Sequence, residues 1–277
     1  IYVSEDAKQK FNASLLSADT NTHIDTPTRV LTQPPSLQVP GDALDWEARS
    51  RDLRVLSSDQ QQLHTLLPAQ FLLFNSSVVP HKNLLFALRA YMESDIERLG
   101  VNFCITGQPQ HDAYSQAVVD IASRHKSVIF TGYVDEATKR HLYLNALALI
   151  SPSLVEGFGI PVLDAACLGL PALASPIGSH REIQAMHDFQ EHVLLCSTLH
   201  TSDWASAMRL VVLRLQQKRQ DLSPEGEHLL LNKIRLERIQ RYRALQEQIS
   251  TAFGAGLCEL LNEDADGERL SATMTTP

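Results

Sequence analysis

Ser151–Gly169 reads SPSLVEGFGIPVLDAACLG, and it joins three kinds of local structure. Before it, Ala146–Ile150 is an apolar run of strand length. After it, Ile160, Leu163, Ala166 and Cys167 recur at helical spacing, with Pro161 in the first turn. Between lies the loop Glu156-Gly157-Phe158-Gly159. Proline in a first turn loses nothing, because its missing N–H would lack a partner anyway, and the remaining first-turn amides face whatever lies above the loop. Strand, glycine loop and helix start together form an anion site. The same features also have a purely local explanation. Glycine after a strand is ordinary turn chemistry, and an acid near a helix N-terminus gains about 0.3–1 kcal/mol from the dipole.

The stretch carries two carboxylates, Glu156 in the loop and Asp164 one turn into the helix. Both cannot face a bare phosphate without repulsion, so hydroxyl groups flanking the phosphate are the better partners. A sugar nucleotide has that pattern: a diphosphate for the helix start, with a sugar on one side and a ribose on the other to donate hydrogen bonds to carboxylates.

The whole chain narrows the choice. Its 277 residues are enough for one large domain or two smaller ones, and 44% hydrophobic content is ordinary for a globular protein. A net charge of −8 and a pI near 5.7 argue against nucleic acid as a partner and require that an anionic ligand be met by locally placed cations. Cys104, Cys167, Cys196 and Cys258 are widely spaced, with no CxxC, and read as reduced cysteines of a cytoplasmic protein, at most peripheral to the inner face of a membrane. No apolar run reaches the ~18 residues of a membrane span. Histidines show neither HxH nor HExxH, so no metal is expected. The chain begins at Ile1 and is read as a fragment.

From Phe71 onward, short apolar runs alternate with amphipathic segments, the sequence form of an α/β doubly wound parallel sheet. Strands are expected at Phe71–Asn75, Val101–Thr106, Ser127–Thr131, Ala146–Ser151, Pro171–Ala174 and His192–Cys196. Helices are expected near Asn83–Glu93, Asp112–Arg124, Glu136–Leu144, Ile160–Leu168, Ser179–Met186 and Ser202–Lys218. Upstream, Ile1–Val3 reads as a strand end and Ser4 as the cap of a helix through Leu15. Asp19–Gly41 reads as a linker or crossover with one strand candidate, Thr28–Thr32, and the glutamine-rich Asp45–Leu67 as partly helical. After Pro224 a long polar helix carries the stripe Leu229, Leu230, Ile234, Ile239, Tyr242, Leu245 and Ile249, and Asn262–Pro277 reads as a disordered tail. Three parts are therefore expected: 1–66, 67–222 and 223–277. Asp264-Ala265-Asp266 imitates a metal-binding DxD, but no strand precedes it, so it reads as a solvated charge run.

In open parallel sheets, ligands bind beyond the carboxyl ends of the strands, and three more loops lie there. Val79-Pro80-His81-Lys82-Asn83 follows the first strand of the repeat and puts His81 and Lys82 at a helix start. An exposed lysine is disfavoured there by about 0.3–1 kcal/mol unless an anion is bound. Thr131-Gly132-Tyr133-Val134 ends the third strand with backbone groups able to read a base edge, or serves as a tight turn. In Ile177–Glu182, Ser179 and Glu182 have the spacing of a capping box, leaving His180 and Arg181 to face the pocket.

Taken together, these pieces resemble the donor-binding half of a group 1 glycosyltransferase, a retaining family of the GT-B fold, from Phe71 to about Cys196. PSLVEGFGIPVLDAACLGLPALAS is similar to the signature PS-x-x-EGFG-[IL]-P-x-x-E-A-x-x-x-G-x-P-V-x-AS, with aspartate at the second acidic position. The resemblance implies that Glu156 orients the transferred sugar, that Asp164 holds the ribose, and that Lys82 and Glu156 are the residues on which catalysis depends. It also implies that His81, Lys82, Gly157, Phe158, Gly159 and Ile160 surround the diphosphate and sugar, while Gly132, Tyr133 and Val134 contact the base. Ile1–Leu16 resembles the end of the family's acceptor domain, which would form the other wall of the cleft, and the helix after Pro224 resembles the segment that crosses back to it.

The implied reaction moves a sugar from a nucleoside diphosphate sugar to a glycan, lipid or small-molecule acceptor with retention of configuration and without a metal or other cofactor. Two further classes share these residues: an epimerase or phosphorylase of the same architecture, and a non-catalytic half-enzyme that only binds the nucleotide sugar.

Overall fold

The computed structural model describes residues 3–17, 30–38, 53–56, 63–66 and 69–273. Within them the expected repeat becomes one six-stranded parallel sheet of β3 (Phe71–Phe74), β4 (Asn102–Ile105), β5 (Val128–Phe130), β6 (Ala148–Ser151), β7 (Ala172–Ala174) and β8 (Val193–Leu195). The spatial order is β5-β4-β3-β6-β7-β8, with Leu72 opposite Phe103 on one side and Ala148 on the other. Strand order reverses between β3 and β6. That is the doubly wound, Rossmann-like arrangement, and the crevice at the reversal is where such sheets place ligands.

Helices α2 (Leu84–Glu93), α3 (Ala113–Ala122), α4 (Glu136–Asn145), α5 (Ile160–Leu168), α6 (Gly178–Ala185) and α7 (Thr201–Arg219) connect or follow the strands. They cover both faces, so successive strand residues enter opposite cores. Phe71 and Leu73 of β3 join the core built with α4, α5 and the C-terminal helix α8 (Pro224–Thr273), while Leu72 and Phe74 join the core of α2, α3 and α7 around Tyr91, Trp204 and Met208. All seven residues from Val162 to Leu168 are buried, because α5 lies between the sheet and α8. Ile239, Tyr242, Leu245 and Ile249 of α8 form the packed stripe, whereas Leu229, placed in that stripe by spacing, is 69% exposed.

Other expectations change outside the sheet. Within Asp45–Leu67, the described residues form an antiparallel pair, β1 (Leu53–Leu56) with β2 (Leu63–Leu66), and no helix. The sequences LRVL and LHTL are too short to show a helical period, and pairing decides them. The strand candidate at Thr28–Thr32 is reduced, among its described residues, to a single bridge at Val30. The α8 backbone stays helical through Thr273 where a disordered tail was expected from Asn262, because a formed helix propagates through good helix formers such as Glu, Ala, Leu and Arg. The strand end at Ile1-Tyr2 and the DQQQ run lie outside the described residues. No helix among the described residues is long and apolar enough to cross a membrane.

The N-terminal helix α1 (Glu5–Ser17) is capped by Ser4, whose Oγ accepts from the Ala7 amide at 3.0 Å. It docks on the sheet domain through α6. The Glu182 carboxylate accepts from the Glu5 amide at 3.0 Å and the Asp6 amide at 2.8 Å, satisfying two orphan donors of α1. The expected capping box at Ser179 is therefore absent: α6 begins at Gly178, Ser179 Oγ has no partner among the described residues, and Glu182 serves another helix. Gly178 makes the docking possible, since a Cβ there would lie 2.2 Å from Asp6 Oδ1. Glu182→Ala should raise amide exchange at Glu5 and Asp6 about tenfold while leaving β3 and β6 unchanged, as read by hydrogen exchange with mass spectrometry.

Buried His141 of α4 makes the fold pH-sensitive. Burial, followed by nearby Arg235 and Arg140, pushes its pKa down to about 4 from the usual 6.5. The unfolded chain thus binds a proton in that window that the folded chain refuses. Stability should be full above pH 6.5 and fall as pH drops toward 4, by on the order of 3 kcal/mol from this group. His141→Gln should flatten that part of the urea-midpoint profile.

Candidate donor site

The loop after β3 and the loop after β6 meet over the strand-order reversal. Pro80–Lys82 makes one 3-10 turn, and Asn83, in the left-handed region at φ 59°, redirects the chain into α2. Three contacts tie this loop to its neighbour. The Leu154 amide donates to the His81 carbonyl at 2.8 Å, and Asn83 Nδ2 donates to the Pro152 carbonyl at 3.3 Å. Lys82 Nζ forms an ion pair with Glu156 Oε2 at 2.6 Å. Glu156 Oε1 accepts from Ser153 Oγ at 2.8 Å, so each carboxylate oxygen has one donor and keeps a lone pair. Lys82 uses one of its three N–H groups on Glu156. The two side chains are only 16% and 10% exposed, which strengthens their attraction relative to a surface pair.

Below this pair runs a chain of hydroxyl and imidazole contacts. Ser175 Oγ, just after β7, donates to the Ser153 carbonyl, and His180 Nδ1 lies 2.9 Å from the Ser175 carbonyl. A carbonyl partner places the ring proton on Nδ1 and leaves Nε2 as an acceptor. That nitrogen is buried without a partner among the described residues, and burial lowers the pKa of the ring. His180 packs against Gly159, where a Cβ would lie 2.9 Å from its Cδ2. Gly159 also has φ +98°, so both geometry and space exclude a side chain there. Ser153 and Ser175 were missed as site residues in the sequence; the only trace is a serine at or just past the carboxyl end of each of two adjacent strands. Arg181 faces outward and donates to the Pro176 carbonyl at 3.1 Å.

The helix start is narrower than the sequence suggested. Val162 and Leu163 amides return to the Gly159 carbonyl and Pro161 has no N–H, which leaves Ile160 as the first-turn amide of α5 able to face a ligand. Gly157 is exposed, and its carbonyl accepts from Ser4 Oγ at 2.7 Å, tying α1 to the loop. Phe158 is buried and anchors the loop in the core. On the far side of β3, Gly132 is buried at φ 68°, Tyr133 is 76% exposed and Val134 is half-buried. The His81 imidazole is exposed, and its backbone makes the loop-to-loop contact.

Asp164 stands apart from the others. It is 1% exposed, and both oxygens are in use: Oδ1 accepts from the Ser36 amide at 2.6 Å and from Tyr242 OH at 2.9 Å, and Oδ2 accepts from Ser36 Oγ at 2.6 Å. Its pKa is raised, because burial outweighs the pull of these donors. At 1% exposure this carboxylate meets a ribose hydroxyl only if the Ser36 segment that covers it gives way. Among the described residues no group of three or more His, Cys, Asp or Glu side chains is arranged to hold a metal ion.

Comparison with known proteins agrees with this architecture. The chain is 28% identical over 141 residues to a glycosyltransferase of Methanocaldococcus jannaschii, covering 50% of this chain and 34% of that protein. It is 29% identical over 115 residues to the O-antigen chain mannosyltransferase B of Escherichia coli, covering 41% and 30%. It thus spans about a third of the length of these relatives. Among solved structures, a sucrose-phosphate synthase of Thermosynechococcus elongatus superposes with TM-score 0.61 at 18% identity over 95% of this chain and 58% of that one. The pneumococcal O-GlcNAc transferase GtfA, in complex with UDP and GlcNAc, gives 0.54 at 16% identity over 94% and 45%. The profile of the family described as Glycosyl transferases group 1 matches residues 58–228, well over half of the sequence, and the chain belongs to that family.

Proposed function

We propose that this chain is the donor-binding half of a transferase that moves a sugar from a nucleoside diphosphate sugar to an acceptor with retention of configuration. The observation that carries the reading is the Lys82–Glu156 pair across the strand-order reversal. A cation held beside a carboxylate suits a ligand that offers negative charge and hydroxyls side by side. Lys82 keeps one N–H on Glu156 and gives the other two to the diphosphate, where the Ile160 amide adds a third donor. These donors are already in position as negative charge grows on the departing phosphate, so they favour the transition state over the ground state. Glu156 uses its remaining lone pairs for hydroxyls of the transferred sugar. Its role is orientation, and charge neutralisation falls to Lys82.

The base lies toward Gly132, Tyr133 and Val134, with the exposed Tyr133 ring available for stacking. For Asp164 the reading is that a ribose hydroxyl replaces Ser36 Oγ at Oδ2. Two of the three donors belong to the exposed Ser36, and of these the hydroxyl can rotate away while the amide stays on Oδ1, whereas the Tyr242 donor is buried. The acceptor wall comes from the domain whose end α1 resembles, and the contact of α1 with the Gly157 carbonyl is consistent with that wall bearing directly on the site loop.

In the intact transferase, Lys82→Ala should lower the transfer rate by about a hundred- to a thousandfold, the scale of losing one preorganised charge stabiliser, and Glu156→Ala, which removes the sugar-orienting carboxylate and the partner that holds Lys82, by a similar factor; both variants should keep a cooperative thermal transition, at a lowered midpoint because half of a largely buried ion pair is gone. Lys82→Ala should also weaken nucleoside diphosphate binding by about tenfold or more in calorimetric titration. Full activity in either variant would remove the assigned roles. Since one matched relative is a mannosyltransferase, GDP-mannose is the first donor to test, followed by other nucleotide sugars. A glycosylated product formed only with acceptor present would exclude an epimerase, and binding without product would favour the half-enzyme reading.

A further inference from the structure

A second place that favours anions lies at the opposite end of the sheet. Every backbone segment that closes it precedes a strand: Ala69 before β3, Leu144–Leu147 before β6, Leu168–Pro171 before β7, and Glu191-His192 before β8. The walls are α7 and α8, and the space between is a cavity of about 430 Å³. Helix α7 presents Val211, Arg214, Leu215 and Lys218 at spacings of three, one and three, which is one helical face of alternating apolar and cationic character. Helix α8 adds Arg235, Arg238 and Arg241. Five cations and two carboxylates, Glu191 and Glu237, therefore line a cavity in a chain of net charge −8.

The cations divide into two sets. Arg238 donates to the Leu144 carbonyl at 2.7 Å, Arg235 to Asn145 Oδ1 at 2.6 Å, and Arg241 is paired with Asp188 at 2.5 Å, although its buried Nε has no partner among the described residues. These arginines hold α8 to the ends of the strands. Arg214 and Lys218 are exposed at the rim and make no hydrogen bond or ion pair among the described residues. Below the rim the lining is aliphatic, with Leu147, Leu168, Leu194 and Ile234.

We propose that this cavity binds a phosphate monoester carried on an apolar body, with Arg214 and Lys218 taking the phosphate and the aliphatic floor taking the body. The lining cations exceed Glu191 and Glu237 by three, and Asp188, paired with Arg241, brings the local excess to two; a dianion suits that excess, and the guanidinium fork of Arg214 suits phosphate oxygens. The floor gives preference over inorganic phosphate, because burial of alkyl groups adds affinity that a bare anion cannot gain. The ligand is either a soluble organic phosphate or a phosphate headgroup presented by lipid.

The test is calorimetric titration of the full chain with hexyl phosphate and with inorganic phosphate. Hexyl phosphate should bind in the millimolar range or tighter and at least about tenfold better than inorganic phosphate. Arg214→Gln/Lys218→Gln should weaken it by about tenfold or more, and Lys82→Ala should leave it unchanged. Co-sedimentation with phosphatidic acid vesicles, but not phosphatidylcholine vesicles, lost in the double variant, would assign the lipid source. Hexyl phosphate binding without co-sedimentation would assign a soluble one. Absence of hexyl phosphate binding, binding unaffected by the double variant, or binding lost in Lys82→Ala would overturn the proposal. That last result would place the anion at the donor site and leave the donor reading intact.

Discussion

A carboxylate with almost no access to water fixes the geometry of this molecule. Removing an ion of that kind from solvent costs several kcal/mol unless donors compensate. Asp164 receives three, from Ser36, 128 residues away in sequence, and from Tyr242, 78 residues away. Tyr242 OH is also the acceptor for the Leu37 amide at 2.6 Å, so one hydroxyl serves both the N-terminal segment and α5. The Asp164 node therefore joins three parts of the chain around one buried helix. Because Val162–Leu168 of α5 are all buried, the body of the helix is held in place, and its half-buried first turn and the loop carrying Glu156 extend from that fixed body. Gly159 extends it: only glycine allows the left-handed turn and the approach of His180 that together set the loop on the helix.

Rigidity below makes the ion pair above useful. Lys82 and Glu156 come from different halves of the sheet, and their loops are joined by backbone and amide contacts as well as by the pair itself. Each partner keeps unused hydrogen-bonding capacity, so a ligand can be added without dismantling what is there. The acidic chain places cations at both ends of the strands. At the carboxyl ends a single lysine is held by a carboxylate, and at the amino ends several arginines anchor α8 while two further cations stand at the rim. Both arrangements answer the requirement that an acidic protein meet an anion with local positive charge.

Much of this was legible in the sequence. The six strands follow from short apolar runs bounded by turn residues, and the crevice follows from their order once the sheet is assembled. Lys82, Glu156 and the glycines between Glu156 and Ile160 were identifiable because glycine loops and proline starts report local backbone requirements. What stayed hidden depends on pairing at long separation. Nothing near Asp164 announces Ser36 or Tyr242, and nothing near Glu182 announces that it caps α1 rather than its own helix. The β1–β2 hairpin was misread for the related reason that four-residue segments have no measurable period. Ser153 and Ser175 were missed because a serine near the end of a strand is common, and only the fold places these two beneath Glu156.

The central claim is that the crevice between β3 and β6 holds a nucleoside diphosphate through Lys82 and the Gly159–Ile160 helix start. The most direct test is an amide NMR titration of the isotopically labelled chain with GDP and UDP. The account predicts saturable shifts, with at least one of the two, clustered at Val79–Asn83, Thr131–Val134 and Glu156–Ile160, and weaker ones at Ser36. Shifts absent from those loops, or centred on the arginine-lined cavity at the amino ends of the strands, would contradict it.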